Sequence, residues 1–168
     1  MKSNLLTLSV LILLVGNSCQ EKIELTNDQR EEIADIIRNR SQEWLNTIKE
    51  YNQENLDVFL DFFVENDETS WMNDPALWVS NLDILPTREK LEAFWRPEID
   101  RRSSHDIKIV KDFITVLSAD QAIHVFKANY RITDAEGIVG EEHTCVITNV
   151  YVRKNDFWKI LHHHQSYE

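Results

Sequence analysis

The chain ends in FWKILHHHQSYE, and three consecutive histidines invite three chemistries. Imidazoles ligate zinc, move protons near neutral pH, or anchor a ligand through hydrogen bonds. Placement decides among these. On a β-strand neighbouring side chains point to opposite faces, so the three cannot act together. His162 and His164 are expected to share a face with Trp158, Ile160 and Ser166, with His163 and Leu161 on the other. A three-residue turn Lys154-Asn155-Asp156 would set Val152 against Trp158, Val150 against Ile160 and Thr148 against His162. A two-residue turn would set Arg153 against Trp158 and Asn149 against His162. The first keeps the apolar face continuous and is the expected register, although a one-residue slip reverses every assignment.

A zinc site on His162 and His164 needs at least one more ligand, and His105, His124 and His143 have no diagnostic spacing. No metal and no cofactor is therefore expected. The pair reads as hydrogen-bonding members of a pocket wall that could anchor a ligand or act as acid and base. Arg131 is a further candidate anchor, because a guanidinium grips a carboxylate through two bonds. Trp44, Tyr51, Trp95 and Tyr130 could line an apolar pocket, and Thr148 faces the histidines in the expected register. Arg96, Arg101 and Arg102 follow the third helix and read as complements to its C-terminus. No Ser-His-Asp order, phosphate loop or carboxylate pair stands out.

These residues need elements to hold them, and the element order is helices, then strands. Thr26-Asn27-Asp28-Gln29 forms a capping box. Behind it Ile33, Ile36, Ile37, Trp44, Ile48 and Tyr51 fall on one helical face. A second helix from about Asn55 carries Leu56, Phe59, Leu60 and Phe63. After an irregular stretch with a short strand around Trp71, Thr87 caps a third helix with Leu91, Phe94 and Trp95, ended by Pro97. From His105 onward HDIKIVKDFITVLS, QAIHVFKANYRIT, EEHTCVITNVYVRK and FWKILHHHQSY are β-branched and aromatic, separated by turn residues. Four long antiparallel strands after helices predict an α+β fold. Strands this long need strong twist or bulges to wrap a core, so a strongly bent sheet closed by three helices is expected to leave a cone.

The first eighteen residues read as removable. Lys2 precedes an apolar run from Leu5 to Val15 that is too short to cross a bilayer. Val15-Gly16-Asn17-Ser18-Cys19 resembles the lipobox of bacterial lipoproteins, which implies cleavage before Cys19 and its lipidation. Residues 1–18 are the expected signal peptide, 19–26 a tether and 27–168 one domain. An exported, membrane-anchored protein follows, facing the periplasm or the cell surface. Cys145, the other cysteine, has no partner in that case and reads as a small buried hydrophobe. The chain's net charge is −11 and becomes more negative without Lys2, which argues against nucleic acid as a partner.

Trp158-Lys159-Ile160-Leu161-His162-His163-His164-Gln165-Ser166 resembles the Trp-x-Ile-x-His-x-His-x-Ser ending of the nuclear transport factor 2-like superfamily. The similarity is to its SnoaL-like branch and to the calcium/calmodulin-dependent kinase II association domain. Thr148-Asn149-Val150-Tyr151 is similar to that domain's Thr-Arg-Val-Trp, and Arg131-Ile132-Thr133 to an Arg-Ile-Thr in its preceding strand. The resemblance implies a cone-shaped α+β barrel, frequent dimerisation, and uses that range from isomerases, dehydratases and cyclases to ligand carriers and assembly domains. Asn149 replaces an arginine there, which weakens the case for an anion site. The resulting expectation is a homodimer that binds a small, partly apolar molecule through His162, His164, Arg131, Thr148, Tyr130 and Tyr51. The alternatives are an enzyme with a pocket histidine as general base and an assembly module without a ligand.

Overall fold

The computed structural model describes residues 24–50, 52–64, 70–73, 84–85 and 88–167. The expected signal peptide, Cys19, Tyr51 and Thr87 lie outside these residues. Helix α1 spans Asn27–Thr47 and begins with the expected capping box. Thr26 Oγ1 accepts from Gln29 N at 3.2 Å, and Gln29 Oε1 accepts from Thr26 N at 2.9 Å. Ile37, Ser41, Trp44 and Leu45 are its buried residues, at helical spacing on one face. Helix α2, Gln53–Leu60, is capped by Asn52 and buries Leu56, Phe59 and Leu60. Helix α3, Arg88–Arg101, runs through Pro97 rather than ending there. Proline removes the bond to the carbonyl four residues back, and its ring crowds that carbonyl. The last turn is held locally by buried Glu98, which pairs with Arg101 and Arg102, and from outside by Ala135 N, which donates to Arg101 O at 3.2 Å.

Strands β1 (Ser70–Asn73), β2 (Ile84–Leu85), β3 (Arg102–Ser118), β4 (Gln121–Asp134), β5 (His143–Lys154) and β6 (Phe157–Tyr167) form one sheet. Its order is β2-β1-β6-β5-β4-β3, with β1 parallel to β6 and the other neighbours antiparallel. The sheet is open, ending at β2 and β3, and does not close into a barrel among the described residues. Three register shifts along the 17 residues of β3 let this long edge strand bend. Burial alternates residue by residue along β4 and β5, so one sheet face is inside. That face packs against α1, α2 and α3 in a single core.

The β5–β6 hairpin departs from the expected register. Arg153 pairs with Trp158 and Lys154 with Phe157 across a two-residue turn at Asn155-Asp156. Both turn residues have positive φ, 48° and 67°, the backbone twist that a tight hairpin requires and that Asn and Asp tolerate. Tyr151 faces Ile160, but the next pair is Val150 with His162, so Leu161 is an extra residue in the ladder. Its cause is visible on the other edge of β6. Ile160 exchanges backbone hydrogen bonds with Phe62 and Val64, at 2.7 and 3.0 Å, while His162 onward pairs with β1. The strand changes partner at Leu161. Trp158 and Ile160 point inward before it, and His163 and Gln165 after it.

Candidate functional site

The expected pocket histidines lie on the outer sheet face. His162 sits opposite Val150 and His164 opposite Thr148, all partly exposed. Burial, then the neighbouring His164, lowers the His162 pKa. Arg131 is on the same outer side but far along β4, with its guanidinium 3.7 Å from Glu142. Tyr130 is the exception among the described candidates. It lies inside, its ring 5.1 Å from His105 and 6.1 Å from Tyr167. The outer face thus gathers His162, His164 and Thr148, and separates them from both Arg131 and Tyr130. Among the described residues no group of three His, Cys, Asp or Glu side chains is arranged to hold a metal.

The polar chemistry of the interior belongs to other residues. His124, Asn149 and His163 occupy adjacent positions across β4, β5 and β6, and each is fully buried. His163 Nδ1 is 2.7 Å from Asn149 Oδ1, and Asn149 Nδ2 approaches Tyr151 OH at a long 3.5 Å. Tyr151 OH lies 2.8 Å from Ser41 Oγ, which lies 2.6 Å from His124 Nδ1. His124 Nε2 is 3.5 Å from Asp112 Oδ2, a carboxylate that Arg38 Nε reaches at 2.9 Å. The chain therefore runs from the core to the rim of β3.

Its protons have one consistent direction. An amide oxygen only accepts, so His163 carries its proton on Nδ1 and donates to Asn149. Asn149 then donates to Tyr151, Tyr151 to Ser41, Ser41 to His124 Nδ1, and His124 Nε2–H faces the Asp112 carboxylate. Ser41, His124 and Asp112 are the residue types of a hydrolytic triad, yet Ser41 is fully buried and already engaged by Tyr151. No attacking geometry exists there. The array orients and joins α1 to the sheet.

Beside it lies free space between the helices and the inner sheet face. A cavity of about 10 Å³ is lined by Trp44, Leu45, Ile48, Phe59, Trp95, His105, Ile107, Ile147 and Gln165. That is room for about one water. A second cavity of the same size, toward Asn52 and Asn55, shares Ile48, Phe59 and Trp95 with the first. Trp44 packs on Phe59 at 5.8 Å and on His163 at 5.1 Å. Its buried Nε1–H has no hydrogen-bond partner among the described residues. Trp44 and Trp95 are the sequence candidates that do reach a common cavity. Ser41, His124, Asn149, Tyr151 and His163 were legible only as polar interruptions of apolar stripes, such as Ile37-Ser41-Trp44 on α1.

Burial holds the inner imidazoles neutral. It pushes His105 down to about 3, helped by Arg102, and His124 down to about 4 despite Asp112. His163 lies well below the ordinary range for the same reason, while burial raises Tyr151 to about 12. The linkage sign follows. The folded pKa values lie below the unfolded 6.5, so below pH 6.5 the unfolded chain binds more protons. This contribution to stability is complete above pH 6.5 and is lost as pH falls toward the folded values. Urea unfolding between pH 6.5 and 5 should show stability dropping by about 1.4 kcal/mol per pH unit for each such histidine once it is protonated when unfolded. His124→Asn should make that slope shallower. A flat profile would contradict buried neutral histidines.

The likenesses to known proteins agree with this architecture. The profile of the SnoaL-like domain matches residues 37–168. No curated protein matches the sequence significantly. Among solved structures, a nuclear transport factor 2-like superfamily protein of Salmonella enterica serovar Typhimurium superposes with TM-score 0.65 at 15% identity, covering 82% of this chain and 92% of that one. The association domain of C. elegans CaMKII gives 0.63 at 15% identity, covering 83% and 99%. A putative dehydratase of Streptomyces avermitilis gives 0.66 at 13% identity, covering 82% and 97%. The superpositions establish a shared fold, and the profile match spans most of the sequence. On these grounds the chain belongs to the SnoaL-like domain family and carries the nuclear transport factor 2-like fold.

Proposed function

We propose that this protein binds a small, partly apolar molecule inside the cone, between α1, α3 and the inner sheet face. One observation carries the reading. The cavity beside the buried polar chain is lined by Trp44, whose buried Nε1–H has no hydrogen-bond partner among the described residues. A buried polar group is costly unless it bonds, so this donor suits a place where a polar atom is to be received. The anchors differ from those expected from sequence, because His162 and His164 face outward.

Catalysis is the runner-up, and the name of the dehydratase relative favours it. The inner histidines argue against it. A general base works best with a pKa near the operating pH, and His105, the imidazole that lines the cavity, sits at about 3. A thermal-shift screen of the purified protein against a broad metabolite library tests the choice. A ligand at a hundred times its dissociation constant stabilises by about 2.7 kcal/mol. Hits recovered chemically unchanged would support binding, turnover would establish the enzyme, and no hits would defeat both.

The outer face supports self-association, and a kinase association domain shares the fold. Val110, Phe113 and Leu117 on β3 are more than half exposed, beside partly exposed Ile123, Val125, Val146, Thr148 and Val150. A second copy laid on this face would bury an apolar surface of the kind that stable dimers use. Sedimentation at micromolar concentration should give twice the chain mass, and Phe113→Glu should return it to one chain. A single-chain mass for the native protein would refute the dimer.

Export and anchoring complete the proposal. The basic, apolar, small-residue order of residues 1–18 and the following Cys19 support a lipoprotein held at a membrane surface. Labelling with a palmitate analogue in a bacterial host should mark the protein, and Cys19→Ala should abolish both label and membrane retention. An unchanged label in that variant would end the idea.

A further inference from the structure

We infer that two copies of this chain hold one divalent transition-metal ion of the zinc class between them, ligated by His162 and His164 of each copy. The inference rests on the self-association reading above and names what sits at the centre of that contact.

The ligand set starts on one strand. His162 and His164 lie two positions apart on the outer face of β6, both partly exposed. Alternate residues of a strand share a face and stand about 7 Å apart, so two imidazoles placed this way can converge on one ion. Metal binding takes the neutral imidazole. Burial first, and then the neighbouring His164, favours that form of His162, and the second cause shows that the two rings sense each other. A single chain stops there. Zinc takes four protein ligands in a structural site and three in a catalytic one. Among the described residues no group of three His, Cys, Asp or Glu side chains is arranged to supply them. The remaining ligands have to come from another molecule.

The register of the sheet says which molecule. Across the outer face Phe113, Val125, Thr148 and His164 stand in one row, and Thr115, Ile123, Val150 and His162 in the next. The apolar side chains offered for self-association therefore lie in line with the histidines, and neither row carries a lysine, an arginine or a carboxylate. A two-fold axis running across the strands between the two rows lays each row on the other row of a second copy. In a contact of this symmetry residue i meets j and j meets i. His162 then meets the partner's His164, and His164 meets the partner's His162. Four imidazoles surround one point, a nitrogen set that suits zinc, copper or nickel. Charge favours the ion as well. Each chain has a net charge of −11, so two copies repel at long range, and a dication between them offsets part of that repulsion.

The test uses protein purified without a histidine tag and stripped with a chelator. Calorimetry with Zn2+ should give one ion per two chains. Sedimentation over a concentration series should show zinc, at a hundred times its dissociation constant, tightening the dimer about a hundredfold. Co2+ in place of zinc should give the strong visible absorption of a tetrahedral site. His162→Ala and His164→Ala should each abolish that absorption and the tightening, while His143→Ala, at an exposed histidine on β5, should change neither. Phe113→Glu should weaken zinc binding by about tenfold or more although Phe113 is not a ligand, because half of the site arrives with the partner and the coupling is reciprocal. A dimer dissociation constant unmoved by zinc or chelator would overturn the metal site and leave self-association standing. One ion per chain, or a zinc affinity unchanged in Phe113→Glu, would show a histidine pair acting alone and would also overturn it. A single-chain mass both with and without zinc would remove the dimer reading as well.

Discussion

Between the pairs Tyr151–Ile160 and Val150–His162 the last hairpin skips Leu161, and that single unpaired residue reverses which face every later side chain of β6 occupies. The reversal follows from a constraint outside the hairpin. The free edge of β6 must satisfy the backbone of Phe62 to Val64 at Ile160 and then that of β1 from His162. Backbone groups in a core cannot go unpaired, so the strand gives up one residue of regularity where its partners change. Without the bulge, His162 and His164 would be inside and His163 outside. Asn149 would then lose its 2.7 Å partner, and Gln165 its place in the cavity wall.

The buried polar chain that depends on this register has its own logic. Ser41 sits where the stripe of α1 would otherwise carry another aliphatic side chain, and its hydroxyl meets both His124 and Tyr151. Removing any member would leave partners in the core without bonds, at about 1–3 kcal/mol for each orphaned group. Such an array adds little net stability over a well-packed apolar core, but it penalises any other seating of α1 against the sheet. Its direction matters too. Donors all point toward Asp112, so the one charged member lies at the rim, partly exposed and paired with Arg38. Charge stays near water while neutral groups occupy the interior.

This explains which parts of the molecule were legible in the sequence. Helices and strands were, because capping residues, the spacing of Ile37, Trp44 and Ile48, and the alternation of β4 and β5 are local. The fold class and the family resemblance followed from the same signals and from the Trp158 to Ser166 ending. Pro97 misled because the backbone bond that receives the end of α3, from Ala135 N to Arg101 O, comes from far along the chain. The histidines misled for a stronger reason. Strand parity is a local rule, and a bulge set by contacts with Phe62 to Val64, about a hundred positions earlier, breaks it. The turn itself was nearly readable, since Asn155-Asp156 are residues that accept positive φ, and the two-residue alternative had the pairing of Arg153 with Trp158. His124 and Ser41 left a signal that was available but weak. Each is polar within an apolar stripe, and a satisfied core polar group looks the same as a functional one until its partners are known.

The two faces of the sheet then divide the chemistry of the protein. Outside, His162 and His164 are partly exposed among Val150 and Thr148. Inside, His105, His124 and His163 are held neutral by burial, and a neutral imidazole is at once an unwilling base and a good hydrogen-bonding partner. The same desolvation that weakens an inner histidine as a proton acceptor strengthens any hydrogen bond formed beside it, because the effective dielectric constant is low. An interior built this way strengthens hydrogen bonds between neutral groups and disfavours proton uptake by its imidazoles. Helix α1 supplies one wall of that interior through Ser41 and Trp44, and α3 another through Leu91, Trp95 and Ile99.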